Sequence, residues 1–283
     1  MSTARLMDRP EDLERLGLEA GVLRTWEGGR RDTDEPMHNE VWYFDATADD
    51  GTKIVVGFRS KLPSDMGREV SSPNLNINVI VPDGREFVDF IEVDPADAEM
   101  ADDRCHVRYG RHCVTGNLRE YHVAVAPVNG VGVDLRYEAL VEPFRPGGTA
   151  HVALGADDEY YYTDFSIPRN RVTGTVIAGG RTWEITGSGY HDHQWMNIPP
   201  SWPGTTGCGG GSTVSVSPPS STTSPHPSGS ASPTSRSSVS WTPRGSSSST
   251  TASRWNAPSR PTTTRGPART TRNGATTSSA TGT

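Results

Sequence analysis

One short segment of the chain concentrates residue types that carry acid–base chemistry. Residues 187–195 read GSGYHDHQW, so a tyrosine, an aspartate and two histidines stand between a pair of glycines and a tryptophan. A carboxyl group buried in an apolar pocket has a raised pKa and stays protonated near neutral pH. Asp192 can then act as a general acid, while Tyr190 orients the acid or relays the proton.

The period of a β-strand divides this motif between two faces, because successive side chains point to opposite sides. Tyr190 and Asp192 are expected on one face. The other face is expected to carry His191, His193 and Trp195. A purely structural role is the alternative for all of them, since buried polar groups often fasten loops through hydrogen bonds. We take Asp192 and Tyr190 as catalytic candidates and the two histidines as hydrogen-bonding supports.

Two histidines separated by one residue also raise the question of a metal. Two imidazoles on one strand face can bind zinc, but a zinc site needs a third ligand. The other histidines are scattered without ligand spacing, and the pairs Cys105-His106 and His112-Cys113 fit no zinc pattern. We therefore expect no metal and no other cofactor.

A second segment, NEVWYFDA at residues 39–46, is a candidate contributor to the same site. Trp42 and Phe44 would share one strand face, where large aromatic side chains usually belong to a core. Glu40 is a candidate partner for an arginine near a cavity. The binding or supporting residues predicted from both motifs are Glu40, Trp42, His191, His193 and Trp195.

The elements that must position these motifs are nearly all β-strands. Short segments rich in β-branched and aromatic residues lie at 41–46, 53–59, 74–81, 86–93, 118–126, 133–141, 171–178 and 182–190. Turn sequences containing glycine or proline separate them. Helix is expected only over residues 10–20, which begin with proline followed by acids. This pattern predicts an all-β antiparallel sandwich or barrel that can enclose an apolar cavity.

Together the two motifs resemble the AttH-like and carotenoid 1,2-hydratase (hydroxyneurosporene synthase) family. The resemblance covers roughly residues 38–197, although Met196 stands where the family tends to have glycine. It implies two lipocalin-like β domains in tandem, of which this chain holds the N-terminal one, with an apolar ligand between or within them. It also implies hydration of isoprenoid double bonds or, in related proteins, cyclisation of polyenes.

Two functions from different classes follow. The first is a hydratase- or cyclase-like lyase of the carotenoid 1,2-hydratase type, acting on an apolar isoprenoid or polyene. The second is a lipocalin-like protein that binds an apolar small molecule without turning it over. An Asp192 that faces a cavity and is shielded from water favours the first. The exact substrate and the oligomeric state stay open.

Charge and composition argue against other partners. The chain has 34 acidic and 27 basic residues, with a net charge of −7. An acidic body disfavours nucleic acid, because phosphate binding needs a basic surface. No apolar run is long enough for a transmembrane helix, and the N-terminus lacks the apolar core of a signal peptide, so we expect a cytoplasmic protein. In a reducing compartment Cys105 and Cys113 are expected to stay unpaired.

The composition changes at residue 204. Residues 204–283 contain no acid, no lysine and none of Leu, Ile, Phe or Tyr, so we expect them to be disordered. A Ser/Thr/Pro linker is the simple interpretation. However, nearly all the residue types present have codons with C or G at the second base, as third bases do in a GC-rich gene.

A frameshift explains this bias. In the shifted frame residues 204–214 can be translated as RHDWLWGRLYG, which resembles a Trp-rich segment that family members have after the His-Asp-His motif. We therefore expect a frameshift near residues 200–204. The expected organisation is an N-terminal segment over 1–30, a β domain over 31–203 and an out-of-frame tail over 204–283.

Overall fold

A computed structural model of the chain describes residues 4–31 and 35–198. In this part of the chain the structure is an antiparallel β-sheet of 13 strands with one α-helix and a few short 3₁₀ turns. The all-β prediction is confirmed. The predicted tail at 204–283 and the predicted frameshift at 200–204 lie outside the described residues.

The strands in chain order are β1 (Ala4–Leu6), β2 (Asn39–Ala48), β3 (Lys53–Arg59), β4 (Asn74–Ile80), β5 (Glu86–Glu92), β6 (Ala98–Met100), β7 (Cys105–Tyr109), β8 (His112–Gly116), β9 (Glu120–Val128), β10 (Val131–Ala139), β11 (His151–Leu154), β12 (Tyr160–Ala178) and β13 (Arg181–Met196). The 3₁₀ turns are Thr25–Gly28, Pro63–Asp65, Pro95–Asp97 and Pro146–Gly148.

The helix α1 (Pro10–Leu16) begins where the sequence predicts it but ends earlier than residue 20. Gly17 adopts a left-handed conformation with φ of 65°, and its backbone N–H donates to carbonyl oxygens of the last turn. Glycine at this position terminates helices because it has no Cβ to strain the left-handed backbone. The 3₁₀ turns were not predicted, and most of them begin at a proline.

The strands pair in the order β5-β4-β3-β2-β13-β12-β10-β9-β8-β7-β6, while β11 joins β12 to β1. The sheet curls, so that strands far apart in this order meet. The hydroxyl of Tyr109 on β7 donates to the carbonyl of Arg59 at the end of β3 over 2.9 Å. The amide of Asn129, in the β9–β10 turn, donates to Asp89 on β5 over 3.0 Å. A half-barrel results, with the apolar core on its inner face.

Strand β12 extends well beyond the predicted segment 171–178. It contains Pro168, which has no backbone N–H to donate within the ladder. A proline therefore argues against a strand when only the sequence is known. The structure accommodates the proline at an irregularity in the β12–β13 pairing between Ile167 and Asn170. The ladder therefore resumes on both sides, and residues 160–167 join the sheet beside the end of β13.

The two glycines of the GSG sequence allow β13 to lie close to β2. A Cβ atom on Gly187 would stand 2.3 Å from the carbonyl oxygen of Thr47, and one on Gly189 would stand 2.4 Å from that of Asp45. Such distances are well inside van der Waals contact, so only glycine fits without displacing the backbone. The glycines thus support the pairing that positions the rest of the motif.

Candidate functional site

The motif on β13 is divided between two faces of the sheet. His191 and His193 point into the core and are fully buried. Tyr190 and Asp192 point to the opposite, outer face, as does Gln194. Strand β13 lies between β2 and β12, so both faces of the motif are extended by residues of these two neighbours.

Three Tyr-X-Asp segments lie side by side on the outer face. They are residues 43–45 on β2, 162–164 on β12 and 190–192 on β13. In the antiparallel pairing of β2 with β13, Tyr190 stands opposite Asp45 and Asp192 stands opposite Tyr43. Each of these two aspartates therefore has a tyrosine two residues before it and another across the ladder. We call this group, with Tyr162 and Asp164, the outer carboxylate cluster.

Asp192 is the most buried carboxylate of the outer carboxylate cluster, with 4% of its surface exposed. Burial raises its pKa to about 7, and the charge of Asp164 adds to the increase, while hydrogen bonds from Tyr190 and Gln194 oppose it. The amide of Gln194 donates to Oδ1 of Asp192 over 2.9 Å. The partners of this carboxyl group are thus side chains, and it can hold a proton at neutral pH.

The two other carboxylates of the cluster respond to the same environment. Burial raises the pKa of Asp164 to about 6, against a hydrogen bond from Tyr162. Burial also raises the pKa of Asp45, and a hydrogen bond from Tyr43 opposes it. Burial therefore raises the pKa of all three carboxyl groups of the outer carboxylate cluster, so this face can hold a proton near neutral pH.

The tyrosines of the cluster are neutral hydrogen-bond donors. Burial and the nearby carboxylates raise the pKa of Tyr43 to about 12. The same causes raise the pKa values of Tyr162 and Tyr190. The rings of Tyr43 and Tyr190 meet edge to face, with centroids 6.3 Å apart. Aromatic faces beside an acid can stabilise a carbocation.

On the inner face His191 is a packed, neutral side chain. Its Nδ1 donates to the carbonyl of Tyr43 over 2.8 Å, and its ring stacks on Phe44 at 4.0 Å. Burial lowers its pKa to about 3. His191 thus fastens β13 to β2. Trp42 is also fully buried, stacks on His193 and donates to the carbonyl of Gly28.

His193 and Glu40 form a buried polar contact. Nε2 of His193 lies 2.7 Å from Oε1 of Glu40, while its Nδ1 donates to the carbonyl of Glu27 over 3.0 Å. Both side chains are fully buried. Burial alone would raise the pKa of Glu40, but hydrogen bonds from His193 and His38 lower it to about 2.

Arg31 is an arginine that approaches Glu40, and the charge of Glu40 opposes the lowering of the Arg31 pKa by burial. Arg31 contributes only its backbone N–H, which donates to Oε1 of Glu40 over 2.8 Å. Its guanidinium instead lies over the ring of Trp26 and donates to the carbonyls of Gly29 and Asp102. His193 reaches Glu40 because β13 lies directly beside β2, with Trp195 opposite Glu40, whereas His38 lies two residues before Glu40 in the chain.

A pocket of about 730 Å³ opens on the inner side, near α1 and the ends of β12 and β13. Its walls combine apolar and aromatic residues, among them Leu16, Leu18, Trp26 and Trp195, with the charged residues Glu27, Arg30, Arg31, Asp102 and Asp103. Trp195 is the sole sequence-predicted site residue in this wall. Tyr190 and Asp192 do not line it, because they project from the opposite face of the sheet.

Three further features of residues 4–31 and 35–198 concern metal ions, thiols and membranes. This part of the chain contains no group of His, Cys, Asp or Glu side chains placed to hold a metal ion. Cys105 and Cys113 are free thiols. Among the same residues, no helix has the length and apolar character needed to cross a membrane.

Comparison with known proteins adds similarities to solved structures. No protein-family model matches the sequence, and no curated protein sequence matches it either. A putative AttH from Nitrosomonas europaea is 15% identical with a TM-score of 0.49, over 62% of this chain and 56% of that one. Kievitone hydratase from Nectria haematococca is 17% identical with a TM-score of 0.40, over 56% of this chain and 48% of that one.

A third solved structure is CghA with Sch210972. It is 18% identical with a TM-score of 0.39, over 58% of this chain and 47% of that one. The chain thus spans about half the length of the solved structures that it matches.

Sequence reasoning missed four residues of the outer carboxylate cluster: Tyr43, Asp45, Tyr162 and Asp164. The signal was present, because Tyr-X-Asp occurs at each of the three segments that the fold brings together. It also missed His38, which contacts Glu40. The signal was the spacing of two residues, which places His38 and Glu40 on one face of an extended segment.

Proposed function

We propose that the outer carboxylate cluster is an acid–base site that hydrates a carbon–carbon double bond of an apolar isoprenoid or polyene. One observation carries the proposal: Asp192 is nearly fully buried and has a pKa of about 7 beside Asp164, a second carboxyl group whose pKa is raised by burial. A general acid works best when its pKa lies near the operating pH. The resemblance of the GSGYHDHQW motif to carotenoid 1,2-hydratases supports the substrate class.

In this proposal the protonated Asp192 transfers its proton to the less substituted carbon of the double bond. The electron pair of the π bond forms the new C–H bond, and the neighbouring carbon becomes a tertiary cation. The faces of Tyr43, Tyr162 and Tyr190 stabilise this cation. A water molecule adds to the cation and loses a proton to the ionised Asp164. Return of that proton to Asp192 restores both carboxyl groups, so the net change is addition of one water.

The experiment compares turnover by the parent chain and by Asp192→Asn. An acyclic carotenoid in detergent micelles is the probe, and the product is a tertiary alcohol whose oxygen comes from isotopically labelled water. The assay uses the full chain and a second chain whose gene has a restored reading frame after residue 203. Loss of a general acid lowers the rate on the order of 10²–10⁴-fold.

The matched control is Asp97→Asn, which makes the same chemical change at an exposed position. It should leave turnover unchanged. Equal rates in parent and Asp192→Asn would eliminate Asp192 as the acid. Absence of turnover in both parent chains would contradict the hydratase proposal.

The second candidate function is binding of an apolar small molecule without turnover. The observation that favours it is the position of the pocket, which lies on the inner side of the sheet and away from Asp192. A binding protein would retain an apolar ligand in both the parent and Asp192→Asn and release it unaltered. Mass analysis of the recovered ligand distinguishes the two functions.

A further inference from the structure

Arg59, the last residue of β3, is a half-buried cation without an acidic partner in the part of the chain that the structure describes. Its Nη1 donates to Oδ1 of Asn76 on β4 over 2.8 Å, and this amide is neutral. Burial lowers the pKa of Arg59, and no carboxylate of the described residues opposes this change. By contrast, Nη1 of the buried Arg145 lies 3.3 Å from Oε2 of Glu27. Within the described residues the charge of Arg59 is therefore uncompensated.

The guanidinium of Arg59 lies on the outer face, beside the outer carboxylate cluster. Phe58 belongs to the core, so the side chain of the next residue, Arg59, points outward. A glycine leaves room for it: a Cβ on Gly57 would stand 2.8 Å from Oδ1 of Asn76 and 3.7 Å from Nη1 of Arg59. Gly57 stands directly opposite Tyr43, which is a member of the cluster. The cation therefore extends the cluster on the side of β3.

Strand pairing places this cation and Asp192 in one row across the sheet. Asp192 on β13 stands opposite Tyr43 on β2, and Tyr43 stands opposite Gly57 on β3. Two strand spacings, about 10 Å, therefore separate Asp192 from the glycine on which the guanidinium lies. An elongated ligand that crosses Tyr43 can reach both groups.

The same row continues to an exposed aromatic residue at its other end. Ser166 on β12 stands opposite Asp192, and Phe144 pairs with Ser166 through two backbone hydrogen bonds. Directly opposite residues of a ladder present their side chains on the same face. Phe144 is 55% exposed, so it offers apolar contact surface on the side of Asp192 away from Arg59. The row has a cation at one end, the acid in the middle and an apolar surface at the other end.

We propose that Arg59 binds a carboxylate, so that the molecule bound on the outer face is an apolar chain carrying one carboxylate group. A guanidinium can donate two parallel hydrogen bonds to a carboxylate, which also supplies the counter-charge. Asn76 is a positioning residue, because its amide oxygen holds the guanidinium over Gly57. The identity of the chain as an isoprenoid with a double bond rests on the proposed function, whereas the carboxylate site does not.

The test uses two probes with the same isoprenoid chain. Farnesoic acid is a carboxylate at pH 7, whereas methyl farnesoate is uncharged. Calorimetric titration of the full chain at pH 7 should show the acid binding about 10- to 100-fold more tightly than the ester, as a hydrogen bond between charged groups provides. Equal affinity of the two probes, tighter binding of the ester, or no binding of either would overturn the proposal.

The first variant is Arg59→Met, which removes the charge and keeps an unbranched apolar side chain. It should lower the affinity for farnesoic acid to that for the ester and leave the affinity for the ester unchanged. Lys53→Met is the matched control, because it removes an exposed cation from the same face of the same strand. It should retain the preference for the acid. A preference that survives Arg59→Met contradicts the proposal.

The second variant, Asn76→Asp, compensates the charge of Arg59 from within the protein. Its carboxylate takes the place of the amide oxygen that lies 2.8 Å from the guanidinium. The preference for the acid should be lost, while a merely structural change would alter the affinities of both probes together. Asn78→Asp is the control, because it adds the same charge two residues along the same face of β4 and should retain the preference. If Arg59→Met does not fold, Asn76→Asp decides, and a preference that it retains is contrary evidence.

Failure of this site and failure of the hydratase proposal are distinguishable. The binding assay needs no turnover, and Asp192→Asn should retain the preference for farnesoic acid because it leaves Arg59 in place. A preference for the acid in a chain that does not hydrate any probe supports the carboxylate site and overturns only the hydratase. Turnover with equal affinity for acid and ester overturns the carboxylate site alone.

Discussion

Replacement of Asp192 by asparagine tests the raised pKa without any substrate. Burial is the main cause that lifts the pKa of this group from 3.8 to about 7 in the folded protein. When folding raises the pKa of a carboxyl group, the folded protein is more stable with that group protonated than with it ionised. Its contribution is therefore complete below pH 3.8 and is lost as the pH rises through about 7.

The size of this loss follows from the pKa difference. Each unit of pKa difference corresponds to about 1.4 kcal/mol, so the full loss between the two pKa values is about 4 kcal/mol. Between pH 5 and pH 7 the free energy of unfolding of the parent should fall by about 2 kcal/mol through Asp192 alone. Asparagine does not ionise, so Asp192→Asn lacks this fall.

The assay is urea unfolding of parent and variant at pH 5 and pH 7, followed by circular dichroism. We expect the free energy of unfolding of Asp192→Asn, relative to the parent, to be about 2 kcal/mol more favourable at pH 7 than at pH 5. Asp97→Asn, at an exposed position, should show no such change. If the free energies of unfolding of variant and parent differ by the same amount at both pH values, the conclusion that Asp192 is buried and protonated is refuted.

Further predictions concern the Glu40–His193 contact, the Asp164–Asp192 pair and the reading frame of the gene. Glu40→Gln should lower the free energy of unfolding in urea by about 3–5 kcal/mol, because it leaves His193 in the core without its charged partner. The control Glu120→Gln, at an exposed position, should change the free energy of unfolding by less than about 0.5 kcal/mol. Asp164→Asn should lower the pKa of Asp192 in a carboxyl titration by nuclear magnetic resonance, since the Asp164 charge helps to raise it; an unchanged pKa would show that the two groups do not interact. Resequencing the gene should reveal a single-base insertion or deletion near codons 198–206, and an intact frame would contradict the proposed frameshift.

Much of the fold could be predicted from the sequence. Antiparallel strands are indicated by the alternation of polar and apolar residues in segments such as 74–81 and by the turn residues between segments. No knowledge of the paired strands is needed for this prediction. The alternation also separates Tyr190 and Asp192 from His191 and His193, as observed on β13. Local sequence suffices here because strand propensity and face assignment depend only on residue type and on a period of two.

Other segments form strands only because they pair with adjacent strands of the sheet. β7 and β8 are five-residue stretches that each contain histidine and cysteine, and the sequence alone does not indicate them. They become strands because pairing with β6 and β9 satisfies their backbone groups and buries Val107 and Val114 in the core. β-propensity is largely a property of such packing and is weak in isolated segments.

The candidate sites were decided by tertiary structure. The three Tyr-X-Asp segments are visible in the sequence, but only the order β2-β13-β12 makes them one cluster. The pKa of Asp192 comes from burial and from Asp164, and neither is a local property. Likewise, His193 meets Glu40 because β13 pairs with β2, whereas the contact of His38 with Glu40 is local. Sequence specifies which groups a strand presents on each face; which charges share a low-dielectric environment depends on how distant strands pair.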